Sequence, residues 1–255
     1  MRILIVNDDG MNAAALPRLI RWARKLGEVT CVVPKTEQSG KSQAIDFTKP
    51  VEIKKVSLAP DIEIWAMDST PADCVRFGVT GLGVTYDLIL SGINRGYNLG
   101  DDISYSGTVG AILEGGRLGI PSLALSTDVD TLEEALRMLD DWWAFMQTKG
   151  LLEKGSLYNV NVPREAPPKG FAVTCQGGEF YSDAFEYRGN DTYMQVGAPI
   201  EYDRCDLTLD IDAIRAGYIS VLGNARGHSV RGTEALGRHQ RRKSRRICRY
   251  KGLSA

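Results

Sequence analysis

The chain has 255 residues, 43% of them hydrophobic and 25% charged, with 31 Lys/Arg against 32 Asp/Glu. This balance excludes a disordered or fibrous protein and suits one globular domain with an appendage. No apolar run reaches membrane-spanning length. The five cysteines are scattered and form no CxxC pair, which argues against a disulfide scaffold or a zinc site and for a reducing cytosol.

The net charge of −1 hides an asymmetry. Residues 224–255 hold ten Lys/Arg and one acid, so the body at 1–223 is acidic. Both histidines, His228 and His239, lie in that tail, and chemistry in the body must proceed without a histidine base or ligand.

The first half alternates strand and helix. MRILIV at 1–6 is too short for a signal peptide and reads as an apolar first strand, ending in the loop NDDG at 7–10. Leu16, Leu19, Ile20, Ala23 and Leu26 fall at helical spacing and predict a helix over 13–26. Residues 29–33 predict a second buried strand, followed by a long loop through Ser42. Residues 51–56 and 62–66 predict a hairpin, and 71–82 a helix with Thr70 as N-cap. Residues 87–90 predict a buried strand, which empties into SGINRGYNLGDDISYSGT at 91–108, and a helix follows to Leu118. Residues 121–125 predict a strand, 131–146 a helix and 157–162 a strand. Beyond a Pro-rich stretch at 163–170, residues 171–210 hold short strand-like runs and many aromatics, as in an extended hairpin or small lobe. Residues 211–217 predict a helical turn and 218–222 a strand. Apolar strands separated by helices imply an α/β fold with a Rossmann-like, doubly wound, mostly parallel sheet over 1–223. The tail at 224–255 reads as a solvated, mobile basic extension.

The chemistry-bearing residues cluster in three loops. Asp8 and Asp9, adjacent at the end of a buried strand, repel each other unless a cation sits between them. The loop after the second strand offers hydroxyls, and the loop after Leu90 offers Asn94 and Asn98. In a parallel sheet these loops emerge at one edge. An all-oxygen shell favours Mg²⁺ or Mn²⁺, or Ca²⁺, over zinc. Ser106, Gly107 and Thr108 open the next helix, where hydroxyls and free N–H groups suit a phosphate. A divalent ion beside a phosphate cradle points to phosphoryl chemistry.

These motifs resemble those of the SurE family of stationary-phase survival proteins, which are metal-dependent nucleotidases. The resemblance is carried by MRILIVNDDG (1–10), SGKS (39–42), TPADC (70–74), SGINRGYNLGDD (91–102), YSGTV (105–109), EG (114–115), YNVNVP (158–163) and GYISV (217–221). It implies that Asp8, Asp9, Ser39 and Asn94 hold one divalent cation per subunit, Mg²⁺ or Mn²⁺. It places Asn98, Ser106, Gly107 and Thr108 around the phosphate, with Asp8, Asp9 and Asn98 as catalytic residues. It further implies a cytoplasmic hydrolase of nucleoside 5′-monophosphates, with 3′-monophosphates and short polyphosphate as additional substrates. The family assembles as homodimers or homotetramers through a protruding hairpin and an exchanged C-terminal element. Two segments depart from its pattern: MNAAA at 11–15 lacks an aromatic and a glycine, and GNARGH at 223–228 stands where Thr-Pro-Leu is usual.

Two rival readings fit less well. A phospho-receiver domain shares the acidic pair, but it needs a lysine after its last strand, and LALSTDVD at 123–130 supplies none. A nucleic-acid-binding protein acting through the basic tail is opposed by the acidic body.

Overall fold

The computed structural model describes residues 1–201 and 205–223, and the expected basic tail at 224–255 lies outside the described residues. In chain order the strands are β1 (Arg2–Val6), β2 (Glu28–Pro34), β3 (Ile53–Ala59), β4 (Ile62–Met67), β5 (Leu88–Arg95), β6 (Ser122–Thr127), β7 (Leu157–Val162), β8 (Phe171–Thr174), β9 (Ala184–Gly189), β10 (Thr192–Val196) and β11 (Ile219–Gly223). The helices are α1 (Leu16–Ala23), α2 (Pro71–Arg76), α3 (Gly107–Arg117), α4 (Leu132–Arg137), α5 (Leu139–Thr148) and α6 (Asp210–Arg215).

Nine strands form one sheet in the order β3-β4-β2-β1-β5-β6-β7-β11-β8. The run from β4 to β7 is parallel. The expected hairpin is present, with β3 antiparallel to β4, and β11 runs antiparallel to β7. Strands β9 and β10 pair apart from this sheet as a separate hairpin.

Burial on both faces explains why the central strands read as unbroken apolar runs. Along β1, Ile3 and Ile5 enter one core with Leu16, Leu19, Trp22 and Trp142. Leu4 and Val6 enter the opposite core with Val32, Cys74, Val75 and Ala111. Helices α1 and α5 therefore cover one face, and α2 and α3 the other.

Three helices differ from the sequence expectation. The first is shorter, Leu16–Ala23 rather than 13–26, because 24–27 turn back by short-range bonds into β2. The helix over 71–82 has its Thr70 cap, the hydroxyl accepting from Asp73 N–H at 3.2 Å, but widens into a π turn over Phe77–Gly81. The helix over 131–146 is two pieces meeting at Met138. No helix among the described residues is long and apolar enough to cross a membrane.

The topology positions the site. From β1 the chain winds outward through β2 to β4, then returns to place β5 on the other side of β1 and continues outward through β6 and β7. The crevice at the carboxyl ends of β1 and β5 is thus a topological switch point, where open α/β sheets bind ligands.

Candidate metal and phosphate site

The loop after β1 is braced from within. Asn7 Nδ2 donates to the Gly10 carbonyl at 2.9 Å, and Gly10 N–H donates to Asn7 Oδ1 at 3.2 Å. This turn presents Asp8 and Asp9 at the crevice. The loop after β2 is tied to it by Gln38 N–H, which donates to the Asp8 carbonyl at 2.7 Å. That bond ties the residue before Ser39 to the acidic pair. Ser39 Oγ donates to Glu37 Oε1 at 2.6 Å, so its lone pairs are left for another partner. A register shift between Ser91 and Asn94 interrupts the β5–β6 ladder. Such bulges re-aim side chains. Asn94 Nδ2 donates to the Gly96 carbonyl at 2.8 Å, which fixes the amide and leaves its oxygen as the atom to offer a ligand.

Asp8 is 4% exposed. Its Oδ1 accepts from the Thr108 hydroxyl at 2.5 Å. Burial raises its pKa, opposed by hydrogen bonding from Thr108. Asp9 is pushed up to about 6, first by burial and then by the neighbouring Asp8 charge, against a backbone hydrogen bond from Arg95. Two carboxylates that resist ionising side by side are what a divalent cation would relieve. Among the described residues no group of three His, Cys, Asp or Glu is gathered for a metal. The candidate donors are instead two carboxylates with a hydroxyl and an amide, hard oxygen donors of the kind that suit Mg²⁺ or Mn²⁺.

The start of α3 presses on this acidic pair. A Cβ on Gly107 would lie 2.9 Å from Asp8 Cβ, so only glycine lets the helix approach this closely. Ser106 caps the helix, its hydroxyl oxygen accepting from Val109 N–H at 3.1 Å. Of the residues expected around phosphate, Thr108 is fully buried and directs its hydroxyl at Asp8. Ser106 and Gly107 are thereby the members left at the helix mouth.

Asn98 is held by residues the sequence reading quoted without giving them a role. Its N–H donates to Asn161 Oδ1 at 2.9 Å. Its carbonyl accepts from Asn159 Nδ2 at 2.7 Å and Asn161 Nδ2 at 3.0 Å. Its side-chain amide donates to Ser126 Oγ at 2.8 Å. The usable signal was the alternation NVN at 159–161, two amides on one face of an otherwise apolar strand.

The site therefore combines an acidic pair with the mouth of α3 and a clamped asparagine, an arrangement suited to a cation beside an anion. The family model "Survival protein SurE" matches residues 3–183. The chain is 38% identical over 231 residues to the 5′-nucleotidase SurE of Thermosipho melanesiensis, covering 87% of this chain and 90% of that protein. It is 40% identical over 234 residues to the 5′-nucleotidase SurE of Paramagnetospirillum magneticum, covering 87% and 88%. The crystal structure of the SurE protein from Aquifex aeolicus superposes with a TM-score of 0.74 at 34% identity, covering 88% of this chain and 93% of that one. With a family model matching residues 3–183 and relatives 38–40% identical over most of its length, the chain belongs to the SurE family.

Proposed function

We propose that the protein is a divalent-metal-dependent phosphatase that hydrolyses nucleoside 5′-monophosphates to nucleoside and phosphate. The observation that carries this reading is the contact between the acidic pair and the mouth of α3, made by Thr108 and Gly107 against Asp8. It puts candidate cation ligands and candidate phosphate donors side by side. The names of the relatives, 5′-nucleotidase SurE, support the same activity.

In this reading Asp8, Asp9, Ser39 and Asn94 hold one Mg²⁺ or Mn²⁺. Bound there, the cation supplies charge neutralisation for the phosphate and acidifies a water. Asn98 and the Ser106–Gly107 turn hold phosphate oxygens through N–H and hydroxyl donors. Asp8 or Asp9 orients the attacking water and receives its proton. The water oxygen bonds to phosphorus, the bond to the ribose oxygen breaks, and the proton taken from the water passes to the ribose oxygen, so the nucleoside leaves as the alcohol and the aspartate is regenerated. Past the ends of β5, β6 and β7 a cavity of about 320 Å³, lined in part by Tyr97, Asp128, Arg164 and Phe180, offers room for the nucleoside.

The β9–β10 hairpin supports assembly as a homodimer or homotetramer. Phe185 is 69% exposed and Tyr193 64%, more apolar surface than a solvated hairpin leaves uncovered. The test is a panel of nucleoside 5′- and 3′-monophosphates and short polyphosphate, assayed with Mg²⁺, with Mn²⁺ and with EDTA. The expected result is 5′-monophosphate turnover abolished by EDTA and restored by metal. Full turnover in EDTA, or none on any monophosphate, would refute the proposal.

A further inference from the structure

Asp210 opens α6, far along the chain from the crevice, yet its carboxylate is fully buried. Three N–H groups from separate places converge on it. Gly100 N–H donates to Oδ2 at 2.9 Å across 110 residues of sequence. Gly177 N–H and Ile211 N–H donate to Oδ1 at 2.7 Å and 2.8 Å. Gly100 begins the 3₁₀ turn Gly100–Tyr105 that joins Asn98 to Ser106. The first N–H groups of a helical turn have no partner within it, and Asp210 serves the first of these.

The same segment is seated in other ways. Asp101 N–H donates to the Gly178 carbonyl at 3.0 Å. Leu99 packs with Phe180, Ile211 and Ile214. Gly100 has φ +54°, and a Cβ there would lie 1.9 Å from the Gly178 carbonyl oxygen. Asn159 and Asn161 grip Asn98 from β7. The segment between the two candidate phosphate groups is therefore held between the end of β7 and the start of α6.

We propose that Asp210 is a positioning residue for phosphate, holding the Asn98-to-Ser106 segment so that both of its ends can meet one phosphate. This rests on the site reading given under the proposed function. Of the proposed cation ligands, Asp8, Asp9 and Ser39 lie on other loops and Asn94 stands before the segment on β5, so Asp210 governs phosphate affinity separately from metal affinity. Burial pushes its carboxyl above the usual range, opposed by the N–H groups of Gly100, Gly177 and Ile211, so the ionised group depends on all three donors.

The experiment is calorimetric titration of inorganic phosphate into full-length protein saturated with Mn²⁺, with a separate Mn²⁺ titration and a melting curve. In Asp210→Asn the amide oxygen can serve Gly177 and Ile211, but the amide NH₂ then faces Gly100 N–H. Gly100→Ala disturbs the same contact from the segment's side and leaves the Asp210 carboxylate in place. Both variants should bind phosphate about 10-fold or more weakly, the scale for loss of an outer-shell partner, while Mn²⁺ affinity is unchanged. Wild-type phosphate affinity in folded Asp210→Asn and Gly100→Ala would overturn the inference. So would Mn²⁺ and phosphate affinities that fall in step with melting temperature, since that marks a merely structural residue. A wild-type protein that binds Mn²⁺ but no phosphate would overturn the site reading itself, and this inference with it.

Discussion

Thr108→Val tests the site at its most specific contact. The substitution conserves shape and removes only the hydroxyl that donates to Asp8 Oδ1 at 2.5 Å. Thr108 is fully buried, and Asp8 is 4% exposed, so water cannot easily replace the donor. A hydrogen bond to a charged group contributes about 1.5–3 kcal/mol. At about 1.4 kcal/mol per factor of ten, that range converts to roughly 10- to 150-fold. Loss of partners that orient metal ligands costs about 10–100-fold in affinity, the same range. Thr108→Val should therefore weaken Mn²⁺ binding by about 10–100-fold, with turnover partly recovered at high metal. Thr108→Ser, which keeps the hydroxyl, should behave like wild type. Calorimetry on metal-stripped protein measures the constant directly. Mn²⁺ affinity unchanged in folded Thr108→Val would show that Asp8 is not a ligand oriented by Thr108.

Three other outcomes are expected. Asp8→Asn and Asp9→Asn should each abolish nucleotide hydrolysis with the fold retained, checked by turnover and circular dichroism; near-full turnover at limiting metal in either would remove it from the site. Glu114, 3% exposed, has its pKa raised by burial but lowered further by hydrogen bonds from Arg117, Gln43 and Arg76, and the net direction is down. A carboxylate lowered in the folded state stabilises it above the unfolded pKa, and that contribution is lost as pH falls. Glu114→Gln should cost about 1–3 kcal/mol at pH 7, less than for a fully buried pair because its arginines are half-exposed. In urea titrations the gap to wild type should shrink below about pH 4.3, and a gap constant with pH would contradict the charge argument. Finally, Phe185→Ser with Tyr193→Ser should lower the mass seen by light scattering without unfolding the domain, and an unchanged mass would place assembly elsewhere.

The parts legible in sequence were those where local pattern and tertiary role coincide. The strands around β1 read correctly because burial on both faces leaves unbroken apolar runs. The Thr70 cap was legible because its partner, Asp73, is three residues away. The loops after β1, β2 and β5 could be brought to one edge because parallel strands deliver their following loops there, and the resemblance then named Asp8, Asp9, Ser39 and Asn94 within them. What could not be read depends on distant partners. Nothing near Thr108 announces that its hydroxyl turns to Asp8, 100 residues earlier in the chain. Asn159 and Asn161 mark a polar face on β7, but the fold alone decides that Asn98 meets it. The break at Met138 has neither glycine nor proline to signal it, and packing of Trp142 and Trp143 against Trp22 supplies its context.

The antiparallel strand β11 gives the protein a handle. Gly223 pairs with Tyr158 near the start of β7, whereas Ser220 pairs with Asn161 near its end. The described chain thus leaves the sheet at the edge opposite the crevice. At about 3.3 Å per residue, the length of β11 separates the two edges by roughly 15 Å. A fluorophore on a cysteine introduced at Gly223 would sit at the edge away from the crevice.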